Sequence, residues 1–355
     1  MGLKLRNLID IEDLSLEEWN ELYGLASQII ANPKDFKDAL RGDVMASLFY
    51  EPSTRTNFSF QAAMERLGGS VFGFADPRSS SVSKGESVKD TVKMVSGYAD
   101  VIVVRSPQEG MAKAMSLYAD VPVINAGDGG HMHPTQTLAD LTTIAALRGG
   151  MENLNVGLCG DLKYGRTVHS LIKALAKFPG IQFYLIAPRD LAIPAYMVEF
   201  LKANHLPFVE VTNLEATMPQ LDVLYMTRIQ RERFTDPLEY DRLKGVYVLT
   251  RSKMTLAKKD LLVMHPLPRV DEIHPNVDDD PRAVYFDQAR YGMYARMALL
   301  MKLVEQGRRK PPVQPIGEEP LCHNKNCITQ TERYLPPLTK LLGGKTCCGY
   351  CDKEI

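Results

Sequence analysis

Short apolar runs alternate with segments of helical period along most of the chain. In the first half, the runs "DVMASLFY", "DVIVVRS" and "VPVINAG" are continuous enough to predict buried parallel strands. In the second half, "LNVGLCGD", "QFYLIAP", "LDVLYMT", "VYVLT" and "DLLVMHP" predict the same. Because helix-period segments such as "TLADLTTIAALRGG" and "VHSLIKALAKF" separate these strands, the pattern predicts an α/β fold with two doubly wound parallel-sheet domains.

Breaks in this pattern divide the chain. A glycine pair at 149–150 ends a helical segment and predicts the boundary between the two domains, and "YGMYARMALLMKLVEQG" predicts a last amphipathic helix. The charged, proline-rich stretch "RRKPPVQPIGEEP" is typical of a linker. The predicted divisions are a first domain over 1–149, completed by the helix at 287–307, a second domain over 150–286, a linker at 308–319 and a tail at 320–355.

The composition is that of an ordinary globular protein. The 355 residues are 45% hydrophobic and 24% charged, and the chain is long for a single core. A formal charge of −1 gives no overall field that would favour nucleic acid or an anionic membrane. The amino-terminal segment lacks a signal-peptide apolar block, and no apolar run approaches the ~20 residues of a membrane span. We therefore expect a cytoplasmic protein with neither nucleic acid nor a membrane as partner.

The segment "FYEPSTRTNFSF" places several hydroxyls and a guanidinium where a strand gives way to a helix. A single hydroxyl is enough to cap a helix, so capping explains only part of this cluster. Hydroxyls and an arginine at the positive end of a helix dipole describe an anion pocket, most naturally for phosphate. The candidate phosphate ligands are Ser53, Thr54, Arg55 and Thr56, and helix capping remains the alternative.

Three other places in the first half carry candidate side chains. Arg105 ends the strand of "VIVVRSPQEG", at the carboxyl edge where α/β proteins bind ligands. After the next strand come His131, His133 and Gln136, and an imidazole and an amide there could polarise a carbonyl oxygen. One of the two histidines is expected to be only a surface residue. The polar loop "SSSVSKGES" could carry Lys84 to a ligand, although the residues alone favour a solvated linker.

The second half offers arginines at two strand ends. "CGDLKYGRTVHSL" nearly spells a nucleotide P-loop, but Arg166 replaces the lysine, and its planar guanidinium fits a carboxylate equally well. "YMTRIQRERF" places Arg228 and Gln230 after another strand. In "MHPLPRVDEIHP", two prolines fix backbone carbonyls that suit a ligand with amine and amide hydrogens. Either of these last two segments, taken alone, could be an ordinary turn.

Five of the six cysteines fall in the tail. Cys322-x4-Cys327, twenty residues and Cys348-x2-Cys351 form the pattern of a four-thiolate metal site, with Cys347 left over. Disulfides are the alternative, disfavoured in a cytoplasmic chain, and redox-active dithiols are a weaker one. We therefore expect these four cysteines to bind a structural zinc ion, remote from the chemistry.

Six motifs together are similar to one family. "STRT" after "FYEP", "SVSKGES", "HPTQTLADL", "GDLKYGRTVHSL", "MTRIQRER" and "HPLPR" occur in the order and spacing of aspartate carbamoyltransferase catalytic chains, which the sequence resembles from residue 1 to about 308. The tail, from "LCHNKNC" to "CCGYC", resembles the zinc-binding part of that enzyme's regulatory chain. The resemblance implies that this tail is fused to the catalytic chain, without the regulatory chain's nucleotide-binding domain.

The resemblance implies carbamoyl transfer from carbamoyl phosphate to L-aspartate in pyrimidine biosynthesis, with no covalent intermediate and no catalytic metal. It also implies a homotrimer with shared active sites, with a higher assembly through the zinc tail as a further option. The phosphate would bind to the hydroxyls and guanidinium at 53–56. The carbonyl oxygen, and the oxyanion that forms from it, would be surrounded by Thr56, Arg105, His133 and Gln136.

The remaining roles that the resemblance implies concern the second substrate and the neighbouring subunit. The aspartate carboxylates would be held by Arg166, Arg228 and Gln230. Backbone carbonyls for the carbamoyl amide and the attacking amine would come from Leu267 and Pro268. The neighbouring subunit would supply Ser80 and Lys84, with Lys84 also reaching the aspartate.

Two alternatives stay open. One is a sister carbamoyltransferase of the ornithine type, which would be expected to show Cys where Pro266 stands and to lack the Lys84 loop. The other is an inactive paralogue that serves as a zinc-bearing assembly subunit. The presence of every expected site residue argues against lost activity, and an anionic acceptor suits Arg166 and Arg228 better than ornithine does.

Overall fold

The computed structural model describes residues 6–79, 81–229, 240, 242, 245–317 and 322–355. Two of the candidate residues, Ser80 and Gln230, lie outside the described residues. The chain divides into two compact units: unit 1 over Met1–Leu138 and Gly292–Ile355, and unit 2 over Ala139–Tyr291. Within the described ranges, no helix has the length and apolar character needed to cross a membrane.

Unit 1 is built on a four-stranded parallel sheet with strand order β2-β1-β3-β4. The central strands β1 and β3 are buried along nearly their whole length, as their continuous apolar sequence predicts. Its strands are β1 (Val44–Phe49), β2 (Ser70–Phe74), β3 (Val101–Ser106) and β4 (Val123–Asp128). Its helices are α1 (Leu16–Ala31), α2 (Thr54–Arg66), α3 (Val88–Ser96) and α4 (Met111–Ser116), followed by the start of α5 (Pro134–Arg148).

Unit 2 is built on a five-stranded parallel sheet with strand order β7-β6-β5-β8-β9. Its strands are β5 (Asn155–Cys159), β6 (Gln182–Ile186), β7 (Phe208–Val211), β8 (Val223–Met226) and β9 (Leu262–Met264). Its helices are α6 (Arg166–Leu175), α7 (Ala195–Ala203), α8 (Leu214–Thr217) and α9 (Arg251–Met254). The last helix, α10 (Tyr285–Val304), begins in unit 2 and has most of its length in unit 1.

The structure confirms two doubly wound parallel sheets and corrects three strand assignments. The run "VYVLT" is not a strand among the described residues, because Leu249 forms only an isolated bridge to Ile273. Conversely, β2 and β7 were not predicted from the sequence. Both lie at sheet edges and are largely exposed, so their sequences lack the continuous apolar character of a buried strand.

Each sheet has a switch point, where the strand order reverses direction. In unit 1 it lies between β1 and β3, and in unit 2 between β5 and β8. Open α/β sheets bind ligands in the crevice at the carboxyl ends of the strands at such a point. The two switch points are therefore the places where the topology predicts a site in each unit.

The tail forms a small antiparallel hairpin, β10 (Thr339–Leu342) and β11 (Lys345–Cys348), within unit 1. The two-residue turn Gly343-Gly344 has φ angles of 55° and 78°, the left-handed values that a tight hairpin turn needs. Buried residues of the tail share one hydrophobic cluster with β1, β3, α3 and α4. The tail is thus part of the core of unit 1.

Candidate functional site

The candidate phosphate pocket lies at the start of α2, directly after β1. Ser53 occupies the N-cap position, yet its hydroxyl makes no capping hydrogen bond within the described residues. Thr54 and Arg55 are exposed and Thr56 is buried. Because the capping position is filled and its hydroxyl is not used for capping, the cluster is better explained as a ligand site than as a cap.

Arg105 is held beside this pocket by strand pairing. Its backbone carbonyl accepts a hydrogen bond from the Tyr50 N–H at 2.7 Å, so the end of β3 lies next to the end of β1. The guanidinium pairs with Glu51 at 2.7 Å and donates to the Ala126 carbonyl at 3.3 Å. The described contacts therefore fix Arg105 at the switch point of unit 1.

The electrostatics of this pocket favour an anion. Burial lowers the pKa of Arg105, although the charge of Glu51 partly offsets the effect. Burial, followed by the like charge of Arg105, also lowers the pKa of Arg55. Two guanidiniums that repel each other gain from a bound phosphate, because it neutralises both.

His133 follows β4 and reaches the same pocket. Its Nε2 lies 3.4 Å from Nη1 of Arg105. Gly127, with φ of 118°, permits this approach: a Cβ there would lie 3.0 Å from the same Nη1 atom and 3.3 Å from the His133 ring. Gln136 lies in the first turn of α5, where its backbone N–H donates to the His133 carbonyl. The structure thus brings the Arg105 and His133 side chains together.

The expectation that one histidine is only a surface residue is wrong. The His131 side chain is 11% exposed and lies between two carboxylates, with Nδ1 3.0 Å from Asp128 and Nε2 3.2 Å from Asp352 of the tail. Burial opposes protonation, but the two carboxylates outweigh it and raise the pKa of His131 to about 10. No local sequence pattern indicates the His131–Asp352 pair, because Asp352 belongs to a distant part of the chain.

Lys84 ends an exposed 3₁₀ turn, Ser81–Lys84, in unit 1. The residue is exposed. The contacts that fix Arg105 and His133 do not include it. Lys84 is therefore accessible to a ligand or to a second chain.

In unit 2, two arginines flank the other switch point. Arg166 is the first residue of α6, which follows β5, and Arg228 comes two residues after β8. Both side chains are half-buried. The ends of β5 and β8 are tied together by Thr227, whose backbone N–H donates to the Cys159 carbonyl at 2.8 Å. Arg166 and Arg228 therefore follow two adjacent strand ends, and their guanidiniums suit a ligand with more than one carboxylate.

A third loop of unit 2, after β9, presents Leu267 and Pro268. Leu267 has a left-handed φ of 53°, and its N–H donates to Nδ1 of His265 at 2.8 Å. Nε2 of the same imidazole lies 2.6 Å from the Glu272 carboxylate. Burial opposes ionisation of Glu272, yet the hydrogen bond and charge of His265 outweigh it and lower the pKa of Glu272.

This buried His265–Glu272 pair was not among the sequence candidates. Glu272 also accepts the backbone N–H groups of Val270 and Asp271, each at 3.1 Å, so it fixes the far side of the loop. The two residues enclose the Leu267-Pro268 segment and hold its backbone. The sequence feature that could have indicated this pair is the position of both residues within "HPLPRVDEI".

The four tail cysteines form a compact buried cluster that fits a metal. Their sulfur atoms all lie within 4.8 Å of one another, with Cys322 and Cys351 at 3.5 Å and Cys327 and Cys348 at 3.9 Å. Sulfurs bound to tetrahedral zinc at about 2.3 Å would lie about 3.8 Å apart. All six cysteines of the chain are unbridged, and Cys347 stands outside the cluster, as expected.

Donors around the sulfurs support the same assignment. The backbone N–H of Asn324 points at the Cys322 sulfur and that of Tyr350 at the Cys348 sulfur, each at 3.4 Å. The Thr329 hydroxyl lies 3.2 Å from the Cys327 sulfur. Hydrogen bonds of this kind stabilise thiolates, which are the form that binds a metal. The four sulfurs and the donors around them therefore suit a four-thiolate metal site.

The tail forms hydrogen bonds with the loop between β3 and α4. The Glu109 N–H donates to the Asn326 carbonyl and the Ile328 N–H donates to the Glu109 carbonyl, both at 2.9 Å. The Glu109 side chain accepts from the Asn324 amide at 2.7 Å. The tail therefore contacts the loop that follows β3, the strand that carries Arg105.

Two doubly wound sheets, each with basic side chains at its switch point, define a two-domain α/β protein that binds anionic ligands. Two family models together match the chain from residue 6 to residue 303, apart from 147–151. The carbamoyl-phosphate-binding domain of aspartate/ornithine carbamoyltransferases matches residues 6–146, and the aspartate/ornithine-binding domain matches residues 152–303. The chain belongs to the aspartate/ornithine carbamoyltransferase family.

Individual relatives carry more specific names. The chain is 58% identical over 302 residues to an aspartate carbamoyltransferase catalytic subunit from Clostridium novyi, covering 85% of this chain and 99% of the relative. A catalytic subunit from Lachnoclostridium phytofermentans is 55% identical over 84% of this chain and 98% of its own length. Neither family model extends past residue 303, so both leave the tail unmatched.

Solved structures give the same result. The catalytic subunit of M. jannaschii aspartate transcarbamoylase matches with a TM-score of 0.81 and 48% identity, covering 85% of this chain and 99% of that one. A Trypanosoma cruzi aspartate transcarbamoylase in complex with carbamoyl phosphate and aspartate matches with a TM-score of 0.79 and 39% identity, covering 84% and 96%.

Proposed function

We propose that this chain transfers the carbamoyl group of carbamoyl phosphate to the amino group of L-aspartate, giving N-carbamoyl-L-aspartate and phosphate. The observation that carries the proposal is the grouping of Arg55, Arg105 and His133 at the switch point of unit 1. A phosphate site next to an imidazole and a guanidinium suits an activated acyl phosphate. The names of the relatives, and the ligands of the T. cruzi structure, support the same two substrates.

Unit 1 would bind and polarise the donor. Ser53, Thr54, Arg55 and Thr56 bind the phosphate through hydroxyls, a guanidinium and the N–H groups of the first turn of α2. The carbonyl oxygen is stabilised as negative charge develops, which is usually a large catalytic contribution. The groups that we assign to this oxyanion site are Thr56, Arg105, His133 and Gln136.

Unit 2 would bind and orient the acceptor. Arg166 and Arg228, with Gln230, hold the two aspartate carboxylates, and the Leu267 and Pro268 carbonyls accept hydrogen bonds from the amide and the amine. No side chain is assigned as general base, and the departing phosphate takes the amine proton. Holding both substrates in reactive orientation supplies much of the remaining acceleration.

A single assay tests this function. Purified protein is supplied with carbamoyl phosphate and either L-aspartate or L-ornithine, and the carbamoylated product is measured. We expect product with aspartate only. Product with ornithine would favour the sister activity, and no product with either acceptor would favour an inactive assembly subunit.

We further propose a homotrimer in which Ser80 and Lys84 of one subunit complete the site of the next. The exposed position of Lys84 supports this assignment. If it is correct, mixing inactive Lys84→Ala and Arg55→Ala chains restores part of the activity, because one interface then holds two intact halves. No recovery in verified mixed trimers would place both residues in one chain's site.

We assign the metal as one structural zinc ion per chain, held by Cys322, Cys327, Cys348 and Cys351 and taking no part in the chemistry. The thiolate donors and their closed arrangement support zinc. The tail would then be a regulatory-type zinc module fused to a catalytic chain, with a linker at 308–319 and the domain limits expected from the sequence. De novo pyrimidine synthesis and a cytoplasmic location complete the proposal.

A further inference from the structure

The turn from Asp128 to His133 carries the catalytic imidazole of the proposed reaction, and one carboxylate organises it. Asp128 accepts hydrogen bonds from the Asn125 amide at 3.1 Å, the Gly110 N–H at 2.8 Å and the Met132 N–H at 3.0 Å. His131 adds a fourth contact at 3.0 Å. The position of His133 therefore depends on what holds this turn.

The tail supplies one of these supports from outside. An Asp352 oxygen lies 3.2 Å from Nε2 of His131, and the other lies 2.6 Å from the Lys340 ammonium. The His131 and Asp352 side chains are only 11% and 14% exposed, so water screens their attraction weakly. The contact is an ion pair rather than an aligned hydrogen bond among the described residues.

The backbone of the tail makes Asp352 rigid. Asp352 has a left-handed φ of 64°, and its N–H donates to the Cys348 carbonyl at 3.0 Å. Nearby, Tyr350 packs against Gly110, where an added Cβ would lie 2.6 Å from the Tyr350 Cβ. Gly110 donates its N–H to the Asp128 carboxylate. The tail therefore contacts the residues that hold the Asp128–His133 turn at two points, through Asp352 and through Tyr350.

We propose that the tail positions the active site of its own chain, with Asp352 and His131 as positioning residues that fix the Asp128–His133 turn and so aim His133. The inference rests on the proposed carbamoyl transfer. A positioning role predicts a loss in kcat rather than in substrate binding, because His133 acts on the oxygen where charge develops.

The test compares Asp352→Asn with wild-type protein. Asparagine tolerates the left-handed backbone, so this change removes the charge and leaves the turn. The matched control is Glu354→Gln. Glu354 lies two residues after Asp352, and its carboxylate forms an exposed ion pair with Lys345. We expect Asp352→Asn to lower kcat about 10-fold while both KM values change by less than about two-fold, and the control to behave as wild type.

Two further measurements separate positioning from folding. Metal content and the thermal unfolding midpoint should be the same in Asp352→Asn and Glu354→Gln. His131→Gln should lower kcat as well, and the double variant should be no slower than His131→Gln alone, because both changes break one contact.

Several results would overturn the inference. These are a normal kcat in Asp352→Asn, loss of metal or thermal stability in parallel with kcat, or losses that multiply in the double variant. An active wild type combined with any of these results leaves the proposed function intact. A wild type without activity toward aspartate would instead overturn the proposed function, and this inference with it.

Discussion

Units 1 and 2 share a topology but prepare their switch points differently. In unit 1, hydroxyls join the guanidiniums, and Arg105 is already fixed by Glu51 and the Ala126 carbonyl. In unit 2, guanidiniums follow two strands, and a loop held by His265 and Glu272 presents backbone carbonyls. The parallel sheet decides where a ligand binds, and the few residues after each strand decide which anion it is.

The units also differ in what completes their cores. The main core cluster of unit 2 is built from its own strands and helices. That of unit 1 incorporates the cysteine cluster, together with Ile328, Leu335 and Tyr350 of the tail. Part of the packing of unit 1 is thus supplied by the cysteine cluster, whereas the described core cluster of unit 2 contains none of these four cysteines. Each of the following changes affects one unit and leaves the other as a reference.

The largest effect is expected from Cys348→Ser, which removes one of the four proposed metal ligands from unit 1. Structural zinc contributes about 10–16 kcal/mol in small zinc peptides, so we expect a loss of about 5 kcal/mol or more in the free energy of unfolding. Elemental analysis and denaturant unfolding measure the change. The control is Cys347→Ser, whose sulfur lies outside the cluster. Equal zinc content in the two variants would contradict the ligand assignment.

Arg55→Ala should be next, because it removes a guanidinium from the phosphate pocket. We expect kcat to fall roughly 10³-fold with the fold intact, since removing one charge-stabilising donor costs about that much. Arg66→Ala, at the exposed last turn of α2, is the matched control. Near-normal rates for Arg55→Ala would contradict the assignment of the phosphate site to unit 1.

Arg228→Ala should act on the other substrate. We expect the KM for aspartate to rise about 100-fold, with a much smaller change for carbamoyl phosphate, because a carboxylate loses a bidentate partner. Steady-state kinetics with each substrate varied in turn measure the split. Arg290→Ala, an exposed arginine on α10, is the control. A change confined to carbamoyl phosphate would show that the two units have been assigned in reverse.

The smallest effect is expected from Glu272→Gln, measured as stability against pH. The pKa of Glu272 is lowered on folding, so its ionised form stabilises the protein above the unfolded pKa of about 4.3, and this contribution is lost as the pH falls through the folded pKa. Glutamine should cost roughly 1–3 kcal/mol at neutral pH, and the difference should shrink in acid. A difference that is independent of pH would mean that ionisation of Glu272 contributes nothing.

Much of the fold was predictable because buried parallel strands leave a strong signal. The central strands β1, β3, β5 and β8 appear as continuous apolar runs, and their order along the chain, with helices between them, predicts parallel pairing. The edge strand β2 was missed because one glycine and exposed positions interrupt its pattern. "VYVLT" was overpredicted, since an apolar run says nothing about whether a neighbour is present to pair with it.

The candidate site was predictable only in outline. Residues at strand ends, such as Arg105 and Arg228, could be chosen because parallel topology collects those ends on one edge. The contacts Glu51–Arg105 and Asp352–His131 could not, because they join side chains that only the folded backbone brings together. Glu272 was missed for the same reason, although it lies seven residues from its partner His265.

The shared core of unit 1 and the tail has a consequence for the order of events during synthesis. The apolar face of α4, with Met111 and Met115, packs in the same cluster as tail residues that are made last. Glu109 and its tail partner Asn324 are 215 positions apart. At ordinary translation rates, the apolar face of α4 is therefore made about 10 to 40 s before the tail residues that cover it. During this interval the nascent chain carries an exposed apolar surface, so we expect its folding yield to depend on chaperone capacity.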